Sequence, residues 1–387
     1  MYLPSAFINH DLGDGSYVTN VRYSYHKDEG PVYGLVELDN GRKVFKYPIG
    51  MALFYAPYFT AAHAYALATG ESADGFSVSY QQFVALGCLA YVLIGLWILG
   101  LELRQYFSDS TAALAMLVVG LGTNLLYYAT FETAMAHGTL FMLNALLLRL
   151  TRQWYQSGRW KYILGLGLTL GLIGLVRPSE LLMAGVPVLW GISGWKSVPQ
   201  RFLYWQKHLG QVVVAVLLFG AVSSIQLLFW KTVGDKWVIN FYPGEHFDFL
   251  HPHLVEGLFS FKKGWLIYSP LMAFALLGLF FLRRDAPDVW LPALILIPLG
   301  VYIIFSWEQW WYGGGFGARP VIGLYPLLSL GLASFWQRII RVKAAALVLV
   351  SCLVLLNLVQ IRQYSLGILD CCDMTREKYK QHFFEFR

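Results

Sequence analysis

Long apolar stretches separated by short polar links dominate the pattern of this 387-residue chain. A helix that crosses a bilayer needs about 20 consecutive apolar residues. Uncharged stretches close to that length lie near 82–101, 110–130, 134–148, 162–176, 181–195, 209–230, 264–282, 289–306, 320–337 and 344–361. The pattern therefore predicts an all-α, polytopic bundle of about ten transmembrane helices.

The fourth and fifth stretches are short, and only Arg177-Pro178-Ser179-Glu180 separates them. They fit either two short helices or a re-entrant pair. The charged pair also has two interpretations. Arg177 and Glu180 form a structural pair inside the bundle, or they line a watery cavity that satisfies the backbone groups freed by the proline.

The composition supports a membrane protein. Hydrophobic residues make up 57% of the chain and charged residues only 13%, whereas soluble domains carry about a quarter charged residues. So few charges could not solvate the surface of a soluble protein of this size. The aromatic share of 17% agrees, because aromatic rings collect at both membrane interfaces.

Charge along the links predicts the orientation. Every second link is short and basic, and together these links hold 13 Lys or Arg residues against four acids. Their basic residues are Arg104, Arg149, Arg152, Arg159, Lys161, Lys196, Arg201, Lys207, Arg283, Arg284, Arg338, Arg341 and Lys343. Short basic loops stay in the cytoplasm. We therefore predict that these links are cytoplasmic.

The remaining segments are then external. They flank a transmembrane domain over 82–362 and comprise the N-terminal region 1–81, the loops 131–134, 231–263 and 307–319, and the tail 363–387. The apolar stretch 50–68 contains Pro57 and His63, and a span there would reverse the basic alternation. We predict instead a helix lying in the outer interface.

An external N-terminal region of about 80 residues needs a means of crossing the membrane. No signal peptide or apolar helix precedes it in this sequence. We expect that the chain lacks a first transmembrane helix. Unaided translocation of the N-terminal tail is the alternative.

The shortest external loop carries a carboxylate and an imidazole. It reads Phe131-Glu132-Thr133-Ala134-Met135-Ala136-His137. Glu132 and His137 could act as an acid/base or ligand pair, or they are two interface residues solvated by water. The chain has no P-loop, no GxGxxG after a strand and no HExxH, so chemistry rests on polar residues near the membrane.

A second external loop ends in two lysines just before an apolar stretch. It holds Glu245, and Lys262 and Lys263 directly precede 264–282. Lysines outside the membrane run against the inward bias of basic residues. They could clamp a phosphate at headgroup level, or they simply extend to lipid phosphates.

The third external loop reads FSWEQWWYGGGFGARP over 305–320. Trp310, Trp311 and Tyr312 offer flat faces of the sort that stack on sugar rings. Three successive glycines permit close approach to the backbone, and Arg319 can bind a phosphate through two hydrogen bonds. An aromatic belt would explain the tryptophans, but not the glycines or the arginine.

The four cysteines carry little information. Cys88 and Cys352 lie in apolar stretches and are expected to be packing residues. Cys371 and Cys372 are adjacent, and neighbouring cysteines rarely bridge because the geometry is strained. No spacing typical of a structural metal site occurs.

These loops resemble those of the GT-C superfamily of membrane glycosyltransferases, in a branch common in Bacteroidetes. The matching stretches are YLPSAFINHDLG (2–13), KYPIGMALFYAPYF (46–59), FETAMAHGTLF (131–141), VRPSE (176–180), FDFLHPHLVEGLFSFKKGWLIYSP (247–270) and WWYGGGFGARPVI (310–322). The superfamily includes protein mannosyltransferases and lipid A aminoarabinose transferases. The resemblance implies a GT-C-like fold and transfer of a sugar from a polyprenyl-phosphate donor on the external face.

The resemblance also implies an acidic residue in the first external loop. In the branch that this chain resembles, that Asp is expected a few residues before the position of Tyr2, and hence upstream of Met1. Asp11 and Asp14 lie nearby, but the role is not transferred to them.

Together these features predict a glycosyltransferase of the bacterial inner membrane whose active side faces the periplasm. Its partners would be the bilayer, a polyprenyl-phosphate-linked sugar and a lipid, glycan or protein acceptor, with no nucleic acid. Glu132 and His137 are the predicted catalytic residues; the predicted donor-phosphate ligands are Lys262, Lys263, Arg319 and Arg177; and the predicted sugar or acceptor contacts are Glu245, Trp310, Trp311 and Tyr312.

The alternative is a transporter or flippase of a lipid-linked sugar. A transporter is expected to show internal repeats and polar residues on both sides of the midplane. This sequence shows no repeat, and its polar groups crowd one side. The sequence assigns no cofactor or metal ligand, and it leaves metal dependence, sugar, acceptor and oligomeric state open.

Overall fold

The computed structural model describes residues 1–26, 34–242, 244–339 and 343–385. These residues are almost entirely helical, apart from an antiparallel pair of short strands, β1 (Leu35–Glu37) and β2 (Lys43–Phe45). In chain order the helices are α1 (Tyr2–Phe7), α2 (Ser16–His26), α3 (Gly50–Thr69), α4 (Val78–Leu103), α5 (Asp109–Leu121), α6 (Leu125–Thr130), α7 (Ala136–Ser157), α8 (Trp160–Val176), α9 (Gly185–Leu189), α10 (Val198–Lys207), α11 (Leu209–Gly234), α12 (Leu254–Phe259), α13 (Trp265–Tyr268), α14 (Met272–Asp285), α15 (Pro287–Phe305), α16 (Tyr325–Ile339), α17 (Lys343–Ser365) and α18 (Arg376–His382). Short 3-10 helices cover Pro178–Ala184, Trp195–Ser197 and Arg319–Leu324.

The all-α, membrane-embedded class predicted from the sequence is confirmed. Within the described residues, four helices are long and apolar enough to cross a membrane, namely α4, α11, α15 and the Ala344–Ser365 part of α17. Shorter apolar helices at α5, α8 and Pro178–Leu189 accompany them. The total of about ten spans stays a prediction.

Helix α7 is the inner helix of the bundle. It packs against α4, α8 and α16, so both polar and apolar side chains along it are buried. Buried polar groups need hydrogen-bond partners. Asn144, for example, is buried and donates from its Nδ2 to the carbonyl of Gly323 at 3.0 Å. This bond ties α7 to the 3-10 helix that begins at Arg319.

Three predicted continuous spans are in fact broken. The stretch 110–130 is interrupted between α5 and α6, 181–195 ends as a helix at Leu189, and 264–282 is divided between α13 and α14. Proline explains one interruption, because it disfavours the helical conformation of the residue before it. Ser269, which precedes Pro270, has φ −143° and ψ 60°.

The segment after Arg177 crosses the bundle. The guanidinium carbon of Arg177 lies 5.7 Å from the ring centre of Tyr312, and Tyr312 belongs to a segment predicted to be external. At the other end of the segment, the Gly191 N–H donates to the carbonyl of Asp288 at 2.8 Å, in a link predicted to be cytoplasmic. Two short helical pieces therefore connect opposite ends, as in the first of the two predicted alternatives, and the re-entrant pair is not formed.

Contacts sort the polar links into two sets. Segments predicted to be external contact one another: Asn40 with Val233, Glu308 with His246, and Gly315 with Tyr364. Links predicted to be cytoplasmic do the same: Glu102 with Arg152, Tyr204 with Trp154, and Asp285 with Arg338. Each predicted set thus contains contacts between segments that are far apart in the sequence.

The predicted helix at 50–68 is present as α3. It packs along the first half of α4, where the Tyr91 hydroxyl donates to the carbonyl of Phe54 at 3.0 Å and His63 bonds to Tyr80. Its first residue, Gly50, lies against the end of α8. The helix thus packs along the first half of α4 and against the end of α8. Its place in the membrane interface remains a prediction.

A close glycine contact fixes α14 against α16. A Cβ atom added to Gly278 would lie only 1.7 Å from the carbonyl oxygen of Gly331. Small residues at such a crossing allow two backbones to approach closely. Lys263 precedes the α13–α14 segment and Arg319 precedes α16, so this contact joins the elements that follow the two cations.

The orientation predicts a labelling pattern. Leu250 is 87% exposed on a segment predicted to be external, and Ser157 is exposed on a link predicted to be cytoplasmic. In intact cells, Leu250→Cys should react with an impermeant thiol reagent and Ser157→Cys should not, with the unaltered protein as background. Labelling of Ser157→Cys alone would show that the true orientation is the opposite of the predicted one.

Arg341, which was counted among the cytoplasmic basic residues, lies outside the described residues.

Candidate active site

The glycine-rich segment from Tyr312 to Ala318, here called the glycine loop, connects α15 to the 3-10 helix at Arg319. Its backbone reverses repeatedly: φ is 53° at Tyr312, 69° at Gly313, 126° at Gly315 and 60° at Gly317. Glycine adopts positive φ without the steric cost that a side chain adds. The glycine run thus permits a tight loop with peptide groups open to approach.

Two hydrogen bonds anchor the loop. The Tyr312 hydroxyl donates to the carbonyl of Ile304 at 2.8 Å, and the Gly315 N–H donates to the hydroxyl of Tyr364 at 2.8 Å. Tyr364 lies near the end of α17. The loop is therefore held between α15 and α17.

Four cationic side chains surround the glycine loop and Trp311 beside it. Arg319 donates to the carbonyls of Tyr312 at 2.7 Å and of Gly314 at 3.1 Å, and Lys263 donates to the carbonyl of Gly315. Lys262 lies 4.0 Å from the centre of the Trp311 ring and Arg177 lies 5.7 Å from that of Tyr312. We call Arg177, Lys262, Lys263 and Arg319 the cation cluster.

The cation cluster is poorly neutralised. Among the ion pairs of the described residues, none includes Lys262, Lys263 or Arg319. Arg177 approaches Glu180 only at 3.8 Å, and its Nη1 has no hydrogen-bond partner. Lys263 is buried, and a buried charge without an ion-pair partner is costly, so an anion bound next to it would stabilise its charged form.

Lys263 is the most buried member, with only 2% of its surface exposed. Burial, and then the positive charge of Arg319, lower the pKa of Lys263 to about 8. The ammonium form is therefore present below about pH 8 and is lost as the pH rises through that value.

This pKa predicts a pH dependence of anion binding. A phosphate monoester keeps a constant charge above pH 7, because its second pKa is about 6. The affinity for polyprenyl phosphate, measured on purified protein, should therefore fall from pH 7 to pH 9 as Lys263 loses its proton. Lys263→Met should bind weakly with a flat profile over this range. A wild-type profile as flat as that of Lys263→Met would show that Lys263 does not touch the phosphate.

A carboxylate faces the cluster across Gly315. Glu132 accepts a hydrogen bond at its Oε1 from the hydroxyl of Tyr127 at 3.2 Å, and its Oε2 is buried without a partner. A Cβ atom built on Gly315 would lie 3.6 Å from that Oε2, 3.4 Å from Nη1 of Arg319 and 2.6 Å from the hydroxyl of Tyr128. The absence of a side chain at Gly315 therefore lets a carboxylate, a guanidinium and a hydroxyl approach the same point of the backbone.

His137 lies beside Tyr128. It is buried, its ring centre is 5.7 Å from that of Tyr128, and its Nδ1 has no hydrogen-bond partner. Both members of the predicted pair, Glu132 and His137, thus lie near Tyr128.

The two lysines have different neighbours in the structure. Lys263 turns towards Gly315, whereas Lys262 turns towards Trp311. Consecutive residues in an irregular segment point in different directions, so adjacency in sequence did not bring the ammonium groups to one point. Lys263 and Arg319 do lie close together, because they bond to the adjacent carbonyls of Gly315 and Gly314, and their joint binding of a phosphate stays a prediction.

The predicted sugar contacts also lie in different surroundings. Trp310 is buried beside His253, with ring centres 6.4 Å apart, while Trp311 and Tyr312 lie against cations of the cluster. The loop segment that follows Glu245 pairs with 306–308, through the bridge of Phe247 with Trp307. Trp310 therefore packs against His253 in the interior. The segment that follows Glu245 is joined to the residues just after α15.

Three tyrosines at the site were not predicted: Tyr127, Tyr128 and Tyr364. Tyr128 donates to the carbonyl of Phe316 at 3.2 Å, and the rings of Tyr127 and Tyr364 pack at 5.3 Å. Each lies near the end of an apolar stretch, where an aromatic belt is the usual explanation. No local sequence signal separates them from belt residues.

The expectation that Cys371 and Cys372 stay apart was wrong. The structure joins them in a disulfide, in the irregular segment between α17 and α18. Among the described residues, three side chains that could hold a metal come together only at Asp370, Cys371 and Cys372. The two bonded sulfurs leave no thiolate there for a metal.

The fold and the position of this site define a class: a polytopic, all-α membrane protein with a polar site in the loops of its helical bundle. Among solved structures, the chain is similar to ArnT from Cupriavidus metallidurans in its apo state, with a TM-score of 0.52 at 12% sequence identity. The similarity covers 94% of this chain and 61% of that one. The chain thus spans less than two thirds of that protein, and at this identity the likeness shows the fold alone. No protein-family model and no curated protein matches the chain.

Proposed function

We propose that this protein is a membrane glycosyltransferase that moves a sugar from a polyprenyl-phosphate donor to an acceptor on the non-cytoplasmic face. The observation that carries the proposal is the cation cluster, in which Arg177, Lys262, Lys263 and Arg319 contact one loop and its flanking ring. Three of them have no carboxylate partner among the described ion pairs. Such a cluster favours a phosphate.

The position of the cluster favours a lipid phosphate. Lys263 stands just before α13, Arg319 just before α16, and Glu132 just before α7. Residues where helices leave the bilayer lie at headgroup depth, which is where a polyprenyl chain in the membrane holds its phosphate. We place this end of the bundle on the periplasmic side of a bacterial inner membrane, as the basic links at the other end imply.

The proposed reaction is a substitution at the anomeric carbon of the donor sugar. An acceptor hydroxyl oxygen forms the new bond to that carbon, the bond from carbon to phosphate oxygen breaks, and polyprenyl phosphate leaves. Arg319 and Lys263 stabilise the charge that develops on the phosphate. Glu132, whose Oε2 lacks a partner, takes the proton of the acceptor hydroxyl.

The remaining predicted residues would assist the reaction. Arg177 adds positive charge next to Tyr312, and His137 lies beside Tyr128, near Glu132. Trp311 and Tyr312 offer ring faces, although cations lie near both rings in this structure. These roles remain proposals, as does that of Glu245.

The assay that tests the function separates transfer from transport. Purified protein in liposomes that contain a polyprenyl-phosphate hexose should cleave the bond between sugar and phosphate. A flippase would instead move the intact donor from one leaflet to the other. Movement of uncleaved donor, with no cleavage under any acceptor condition, would contradict the transferase and favour the transporter.

A further inference from the structure

A cavity of mixed polar and apolar lining lies within the C-terminal segment 364–385, next to the cation cluster. It has a volume of about 880 Å³ and is partly open to the surroundings, with Asp370, Lys378, Gln381 and His382 among its polar lining residues. Ligand-binding cavities commonly measure about 300–1,000 Å³. The cavity is thus large enough for a mono- or disaccharide.

One residue belongs to both the cavity and the active site. Tyr364 lines the cavity, accepts a hydrogen bond from the Gly315 N–H at 2.8 Å and lies 5.1 Å, at its ring centre, from Nζ of Lys263. Its ring also packs on Tyr127, which donates to Glu132. A molecule in the cavity would therefore lie one aromatic ring away from the proposed base and phosphate ligands.

We infer that this cavity is the acceptor site, and that the acceptor is a hydroxyl-rich, water-soluble glycan segment. The inference rests on the proposed function, because an acceptor site has meaning only for a transferase. Carboxylate, amide and imidazole groups suit sugar hydroxyls, which both donate and accept hydrogen bonds. The tail of a lipid donor would instead need an apolar groove facing the bilayer.

The geometry gives the acceptor a separate entrance from the donor. The donor reaches the cation cluster from the membrane, whereas the cavity is bounded by the segment after α17 and by α18, which were predicted to be external. Tyr364 stands between the two compartments. A sugar hydroxyl that passes its ring would approach the donor from the side of Glu132.

The test uses two variants that fill the cavity from opposite walls and one matched control. Gln381 and Leu366 both line the cavity and both are exposed, so Gln381→Trp and Leu366→Trp should occlude it without disturbing the core. Lys380→Trp adds the same ring to the neighbouring position of α18, outside the lining. Thermal unfolding in detergent confirms that all three proteins are folded.

The first measurement needs no turnover. Saturation-transfer NMR is recorded with a panel of methyl hexosides and methyl N-acetylhexosaminides, using the full chain in detergent micelles. We expect signals for at least one glycoside with the wild type and with Lys380→Trp, and a loss of at least fivefold with either cavity variant. Equal signals in all four proteins, or none for any glycoside, would overturn the inference.

The second measurement separates this inference from the proposed function. Polyprenyl-phosphate binding and donor cleavage by water should be unchanged in Gln381→Trp, while transfer to the bound glycoside should fall at least tenfold. If the wild type neither binds polyprenyl phosphate nor cleaves the donor, the proposed function fails, whatever the NMR shows. If donor cleavage is normal and transfer to the glycoside survives in both cavity variants, only the acceptor site is wrong.

Discussion

Arg319→Ala should lower turnover of a polyprenyl-phosphate sugar by about thirty- to a thousandfold. Loss of charge-assisted contacts to a leaving phosphate costs on the order of 2–4 kcal/mol in transition-state stabilisation. Arg319→Lys should be nearly as damaging, because a lysine keeps the charge but loses the planar fork. In the structure this fork already holds two carbonyls, those of Tyr312 and Gly314. The measurement is the initial rate of donor cleavage by purified full-length protein.

The matched control is Arg362→Ala, an exposed arginine near the same end of the bundle whose guanidinium is not among the contacts of the glycine loop. It should turn over like the wild type. Because Arg319 also fixes the glycine loop, unfolding temperature and polyprenyl-phosphate affinity are measured beside the rate. Wild-type turnover in Arg319→Ala, with Lys263→Met equally active, would show that the cation cluster has no part in the reaction.

Gly315→Ala should abolish most activity although it adds a single methyl group. Gly315 has φ 126°, a conformation that costs an L-residue on the order of 1–3 kcal/mol. The new Cβ would also lie 2.6 Å from the hydroxyl of Tyr128, so the glycine loop must shift. That shift would displace the carbonyl that binds Lys263. We expect donor cleavage to fall at least about tenfold, since 1.4 kcal/mol corresponds to that factor.

A neighbouring glycine provides the control. A Cβ on Gly314 would meet no atom within 4 Å, so Gly314→Ala should keep most of the activity. Removing the clashing hydroxyl in the double variant Gly315→Ala, Tyr128→Phe should restore part of the loss, because only the steric component is relieved. An active Gly315→Ala, or an equal loss in both alanine variants, would argue against a close approach at Gly315.

The features of the fold that depend on composition and periodicity were predictable. Uncharged apolar stretches located the long helices α4, α11, α15 and α17, and the segments of each predicted side contact one another. Breaks within the stretches were harder to see. Pro270 is compatible with a kinked helix or a broken one, and tertiary packing decides between these outcomes.

The candidate site was partly predictable because costly residues are conspicuous. Arginine and lysine in external loops, and a glycine run beside an arginine, stand out against a bilayer. Side-chain direction was not predictable, which is why Lys262 and Lys263 were expected to act together. Tyr364 was invisible for another reason: it is separated from Gly315 by 49 positions, and only the packing of α17 brings it to the loop.

The account is tested most directly by a structure of the full-length protein with polyprenyl phosphate bound. It predicts phosphate density within hydrogen-bonding distance of the Arg319 guanidinium and the Lys263 ammonium, next to the glycine loop, with the prenyl chain running into the bilayer. Phosphate density at the opposite end of the bundle, or at the loop but out of reach of both cations, would contradict it.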